Sequence, residues 1–246
     1  METQQKALIS FDIGIKNLAV CVMSGPFIKI KKKKTASASV GVGCVGGPAG
    51  GEGRGVAQDT DEVVQEKLVI WDWRILPLVC DGEKCKSMKL DVLSQRIFKA
   101  LEDLLERIKT TGCPEVSFVL IENQPSRING TMKSIQMMIF SFFQYQRYKE
   151  MHGIKEVILV NARLKLQDHD IPIEFLPATI ADAPSYKKNK DECVVYTNYY
   201  IRNDDVLRGI MSGMKKKDDV CDALLQGMAW LKKNQYTNQI SYICSP

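Results

Sequence analysis

Near its start the chain carries two apolar blocks, Ala7–Ile13 and Leu18–Met23, joined by the polar turn Gly14–Asn17. Blocks rich in Ile, Val, Leu and Phe around so short a turn predict a β-hairpin. A third strand is expected over Lys67–Leu76, where Val69, Trp71, Trp73 and Ile75 alternate with more polar neighbours as on a half-buried strand. Met88–Thr110 places Leu90, Leu93, Ile97, Leu101, Leu104 and Ile108 at helical spacing, and Gly112 and Pro114 stop it. Val116–Ile121 is almost continuously apolar, as in a strand covered on both faces. Thr131–Lys149 predicts a second helix whose apolar side (Ile135, Met138, Ile139, Phe142, Phe143, Tyr145) is wider than one packing stripe. Either it is a central buried helix, or it also packs across a dimer interface, where Met and aromatic residues are enriched. Glu156–Val160 reads as a short strand, Gln167–Lys190 with its three prolines as a loop, and Lys190–Asn203 and Asp218–Lys233 as helices. This order predicts an α/β fold, a mixed sheet of about five strands with helices on both faces.

Between the second and third strands the pattern lapses. Residues 35–66 are rich in Gly, Ala, Ser and Val, and GVGCVGGPAGGEGRGV has the composition of a flexible linker. The segment lacks GxxxxGK[ST], and no GxGxxG opens a helix from a strand, so no nucleotide cofactor is expected. The organisation expected is one domain over residues 1–234, with an insertion at 35–66 and a tail at 235–246.

Composition narrows the class. Hydrophobic content of 45% and charged content of 26% over 246 residues are those of an ordinary globular protein. No apolar run reaches the ~18 residues of a membrane span, and no secretory leader is seen, so an intracellular, soluble protein without a membrane partner is expected. Eight cysteines without framework spacing read as reduced thiols, and two histidines do not supply a zinc site. Net charge is +5, with lysines clustered at 29–34, 187–190, 215–217 and 232–233. Such clusters are either solvated loops or contacts to a polyanion.

The candidate chemistry lies in carboxylates at unusual places. Asp12 sits within the first apolar run, flanked by Phe11 and Ile13, where a buried charge is costly without a partner. It either caps the turn at Gly14 or binds a cation. Glu122 ends a second apolar strand, before the loop NQPSR. Asp219 and Asp222 are three residues apart, on one face of a helix. Together these form an oxygen donor set able to hold Mg2+. Two such ions about 4 Å apart stabilise the attacking and leaving oxygens of a phosphodiester displacement.

The motifs FDIGIKN, LIENQPSR and KKDDVCDALL, in this order, resemble those of the Holliday-junction resolvases of poxviruses and related large DNA viruses, RNase H-like relatives of bacterial RuvC. The resemblance covers roughly Lys6–Lys29 and Lys67–Leu231. It implies an RNase H-like fold and an endonuclease that cuts four-way DNA junctions by paired symmetric nicks, as a homodimer. Asp12, Glu122, Asp219 and Asp222 would bind two Mg2+ ions per site, with Mn2+ able to substitute. KKDDVCD matches the viral pattern at its second aspartate, which leaves Asp218 as the helix cap; spacing alone permits either aspartate as the partner of Asp222. Lys190 stands where the viral enzymes carry a lysine near the metals, and Lys188 is its rival; the plainer reading of either is a solvated lysine at a helix start. Arg127 and Gln124 lie in the loop expected beside the scissile strand, Arg127 as a phosphate contact or a plain surface arginine. Lys187, Lys188 and Lys215–Lys217 are expected to meet DNA. If viral, the protein is expected at a host-cell cytoplasmic replication site or in the virion. Three rivals stand beside this reading. A mitochondrial-type resolvase would want a targeting peptide that METQQKAL does not supply. An actin-like sugar kinase would need a second phosphate hairpin, which is not found. A non-catalytic junction-binding protein would not need the intact acidic set.

Overall fold

The computed structural model describes residues 6–25, 68–80, 82–83, 88–125, 129–167, 169, 171–176, 185–234 and 242–244. The expected insertion at 35–66, the lysines at 29–34 and Arg127 lie outside them. Strands β1 (Lys6–Asp12) and β2 (Asn17–Gly25) form the hairpin, followed by β3 (Leu68–Pro77), α1 (Leu90–Thr110), β4 (Val116–Glu122), α2 (Gly130–Tyr148) and β5 (Glu156–Val160). Two short 3-10 turns, Ala162–Leu166 and Ile173–Phe175, lead to α3 (Ser185–Ile201), α4 (Asp205–Gly213), α5 (Lys217–Lys233) and β6 (Tyr242–Cys244).

The sheet runs β5-β4-β1-β2-β3-β6. β1, β2 and β3 pair antiparallel, whereas β4 pairs parallel with β1 and with β5, and β6 pairs parallel with β3. The five expected strands are thus present in a mixed sheet, and a sixth, of three residues, lies in the stretch read as a tail. Helix α4 was not expected either. Its nine residues bury only Leu207 and Met211, one turn apart, and it opens on Asp204, whose side chain accepts from the Leu207 N–H at 2.9 Å. Helix α3 starts at Ser185, inside the expected loop.

Strand parity sorts the core into two layers. Ala7, Ile9 and Phe11 of β1, with Val119 and Ile121 of β4, pack under α1 and α2. There Phe11 meets Phe143 at a centroid distance of 5.6 Å. Leu8 of β1 and Phe118 and Leu120 of β4 pack under α3 and α5. β3 breaks the alternation read from its sequence. Opposite Val22 and Met23 its register jumps from Asp72 to Ile70, so Trp71 is the extra residue of a bulge. Ile70 and Trp73 therefore face the same layer although three apart. Asp72 is consequently buried, and Arg74 and Arg107 pair with its carboxylate.

Helix α5 lies closest to the sheet. A Cβ at Gly227 would sit 2.6 Å from Met23 Cε and 3.3 Å from Leu8 Cδ1, so glycine permits that approach. Trp73 Nε1 donates to the Val220 carbonyl at 2.8 Å, and Gln226 Nε2 donates to Ser10 Oγ at 3.0 Å and to the Phe11 carbonyl at 3.2 Å. The end of β1 is thereby tied directly to α5.

Candidate active site

Asp12 and Glu122 follow directly from register. Phe11 pairs with Ile121 across the parallel β1–β4 ladder and faces α1 and α2. The next residue on each strand, Asp12 and Glu122, turns to the opposite face, toward α5. Asp222 comes down from α5 onto the same point. All three carboxylates surround the ammonium of Lys165. Its Nζ is 3.7 Å from Asp12 Oδ1 and 3.6 Å from Glu122 Oε2, and it hydrogen-bonds Asp222 Oδ2.

Lys165 sits in the 3-10 turn after β5, which Asn161 caps by accepting from the Arg163 N–H at 2.9 Å. Because β5 is parallel to β4 and next to it, the turn emerges at the same end of the sheet as Glu122. No sequence pattern marks this lysine. The one available signal is its place just past the carboxyl end of a parallel strand, where open α/β sheets gather their functional groups.

Among the described residues the cluster is electrostatically uneven, with three carboxylates against one ammonium. Burial, then Glu122 beside it, raises the Asp12 carboxyl well above its ordinary value, against the pull of Lys165. Burial also raises Asp222, again opposed by Lys165. Burial works against the Lys165 charge, but Asp12, Glu122 and Asp222 outweigh it and raise its pKa. Cys193, 1% exposed on α3, adds a thiol contact to Asp222, and burial pushes that thiol up.

The remaining expected residues fall around this centre. Asp219, one turn before Asp222, faces the β1–β2 turn, where Asn17 Nδ2 donates to its Oδ2 over 3.5 Å and Lys216 Nζ lies 3.7 Å away. Asp218 faces α3 and pairs with Lys190. Burial disfavours its charge, but Lys190 beside it holds its carboxyl below the usual range. Asp218 is not the helix cap: Lys216 occupies that position, with no side-chain cap bond. The structure thus puts Lys165, rather than Lys190 or Lys188, among the carboxylates. Gln124 is buried, its backbone N–H donating to Gln136 Oε1 at 2.7 Å, so this part of the loop after β4 is pinned from α2. Lys215, Lys216 and Lys217 are exposed at the start of α5, and Lys188 is half-buried on α3, the helix that also carries Lys187.

Among the described residues no three His, Cys, Asp or Glu side chains close on one point as a finished metal cage. The carboxylates close on the Lys165 ammonium instead. Their chemistry nevertheless fits a hard cation. Every donor is oxygen, and buried Glu122 Oε2 has no hydrogen-bond partner. Magnesium needs only one or two carboxylates and retains several waters, so a complete cage is not required.

A mixed sheet with an antiparallel hairpin, parallel flanking strands and carboxylates on its two central strands is an RNase H-like fold. The yeast mitochondrial Holliday junction resolvase shares this fold, with a TM-score of 0.51 and 14% identity over 94% of this chain and 81% of the yeast chain. The fowlpox virus Holliday junction resolvase aligns at a TM-score of 0.46 with 13% identity, over 92% of this chain and 98% of that one. Thermus thermophilus RuvC, in complex with a Holliday junction substrate, aligns at 0.41 with 13% identity, over 93% and 96%. In sequence, an uncharacterized protein of Acanthamoeba polyphaga mimivirus is 32% identical over 146 residues, 57% of this chain. The match spans about a third of that protein's length, 34%. No family model matches the chain. Among the described residues, no helix is long and apolar enough to cross a membrane.

Proposed function

We propose that the protein is a metal-dependent endonuclease that resolves four-way DNA junctions by paired nicks. The observation that carries this reading is the meeting of Asp12, Glu122 and Asp222 around Lys165 on an RNase H-like sheet. Asp12, Glu122, Asp219 and Asp222 would hold two divalent ions, Mg2+ or Mn2+, which when bound lower the pKa of an attacking water and stabilise the leaving 3′ oxygen. Lys165 compensates the carboxylates before DNA arrives, then donates its N–H groups to a non-bridging oxygen of the scissile phosphate. Lys215, Lys216, Lys217, Lys187 and Lys188 neutralise neighbouring phosphates.

A labelled four-way junction and a linear duplex of the same sequence, each with Mg2+ or EDTA, test the reading. Symmetric nicks in the junction alone, and only with Mg2+, are expected. Equal cutting of the duplex, or cutting in EDTA, overturns it.

The adjacent aspartates have different roles in this scheme. Asp219→Asn is expected to remove nearly all cleavage without lowering the melting temperature. Asp218→Ala breaks only a partly exposed pair, costs well under 1 kcal/mol and leaves most activity. A gel assay with a thermal melt separates the two, and the reverse pattern would exchange their assignments.

Paired cuts on opposed strands require two sites related by a two-fold axis. Helix α2 offers a surface for such a dimer, with Met137, Tyr145 and Tyr148 exposed by 41%, 57% and 78%, and Phe142 stacked on Phe98 at 6.0 Å. Tyr145→Asp is expected to give a monomer in sedimentation velocity and to replace paired nicks by single ones. A Tyr145→Asp protein that sediments as a dimer and still nicks in pairs would move the interface elsewhere.

A further inference from the structure

Against the backbone of Lys165 lies a set of rings that the chemistry above does not use. His169 Nε2 is 2.8 Å from the Lys165 carbonyl, and its Nδ1 is 2.9 Å from the Tyr200 hydroxyl. A carbonyl can only accept, so Nε2 carries a proton, and in the neutral ring Nδ1 accepts from Tyr200. Tyr200 meets Tyr199 edge-on at 5.7 Å, and Tyr199 meets Phe175 edge-on at 4.8 Å. The Arg202 guanidinium lies 3.9 Å from the Tyr199 ring centroid and 6.0 Å from that of Phe175. This continuous line of contacts ends in solvent. Ile173 is 83% exposed and Phe175 is 45% exposed, both on one short 3-10 turn.

An apolar tip backed by an arginine–aromatic stack is expensive to leave in water and is chemically suited to one kind of ligand. A nucleobase stacks on an aromatic ring or on a guanidinium plane, and its phosphates meet the arginine charge. A paired base inside a duplex offers no free face. An unpaired base does, and a branch point is where duplex stacking is interrupted. Resting on the junction-cutting reading, we infer that Phe175, with Ile173 and Arg202 beside it, is a stacking platform for an unpaired nucleobase at the branch point. His169 and Tyr200 link this platform to the backbone of Lys165, so a stacked base sets the position of the neighbouring phosphate relative to the carboxylates.

The test is a binding cycle on the full-length protein in EDTA, where nothing is cut. Affinity is measured for a four-way junction and for the same junction with abasic sites at the branch point. Phe175→Ala is expected to weaken binding of the intact junction about tenfold and to leave the abasic junction unaffected. Phe175→Trp should bind like wild type, and Phe175→Leu, which keeps bulk without a ring, should behave like alanine. Equal losses on both junctions would assign Phe175 to the backbone, to the fold or to a protein partner and overturn the inference, as would no loss on either. If the wild-type protein prefers no junction over duplex, the junction reading falls. The same cycle on single-stranded DNA with and without abasic sites then decides whether the platform stacks bases; loss without discrimination there, or no binding at all, overturns it too.

Discussion

Asp12→Asn is expected to abolish junction cleavage, to keep the junction bound and, in EDTA, to raise the melting temperature. Asp12 is a ligand in the proposed chemistry, and each 1.36 kcal/mol lost from transition-state stabilisation is a tenfold rate loss. Removing a metal ligand forfeits several kcal/mol, so a loss of at least about a thousandfold is expected. Binding survives because the carboxylate repels the phosphate rather than holding it. Stability changes in the opposite sense to activity. Burial and Glu122 raise the Asp12 pKa in the folded protein. A carboxyl that binds its proton more tightly when folded loses stability as pH rises above its unfolded value. Without metal, Asp12 therefore costs stability at neutral pH, and asparagine removes that cost. A gain of about 1 kcal/mol corresponds to 2–4 °C in a chain of this size. The gain should shrink as pH falls toward 4, where unfolded Asp12 is itself protonated. A variant that melts lower than wild type at pH 7.5 and retains cleavage would remove Asp12 from the metal site.

Lys165→Ala should do the reverse to stability. Among the described residues Lys165 is the one cation between the buried Asp12 and Glu122 and the partly buried Asp222, and its removal leaves them uncompensated. Breaking a buried ion pair from one side costs about 3–5 kcal/mol, so the melting temperature in EDTA should fall by roughly 10 °C or more. The same loss makes the site a stronger cation binder. Added Mg2+ should therefore raise the melting temperature of Lys165→Ala more than that of wild type, because binding to the folded state alone stabilises it. Cleavage should stay very low even when Mg2+ restores stability, since no ammonium then faces the phosphate. Thermal melts across a Mg2+ titration, run beside the gel assay, read both effects. A Lys165→Ala protein as stable as wild type in EDTA, with the same response to Mg2+, would mean that the lysine and the carboxylates do not act as one cluster.

Much of the centre was legible in the chain because it follows local periodicity. Asp12 and Glu122 stand out as carboxylates at the ends of apolar strands, and strand parity alone turns them both to one face. Asp222 was picked out by its three-residue spacing to Asp219, but the structure turns Asp219 toward Asn17 and Lys216 and only Asp222 toward Lys165. Lys165 was not legible, since its turn has neither helical nor strand period and its role depends on β5 lying beside β4. Lys190 was expected near the metals because its place in YKKNKDECVV resembles that of a lysine in the viral enzymes, but its side chain reaches Asp218, one turn from the centre. The bulge at Trp71 was hidden for a related reason. One extra residue inverts which side chains face the core while the local sequence still reads as alternation.

The close seating of α5 on the sheet gives the two halves of the site different mobility. Asp222 belongs to a helix whose residues from Val220 to Leu231 are buried, Asp222 itself excepted, so its backbone cannot move away without opening the core. Lys165 belongs to a five-residue 3-10 turn in which only Leu164 is buried. Free energies of local opening are lowest where few apolar contacts hold the backbone. The Asp222 backbone is therefore expected to open only with the core, whereas the turn that carries the ammonium should open at lower cost. In the proposed chemistry, exchange of the ammonium for a metal ion would follow the opening of the turn and would leave the carboxylates where the core has set them.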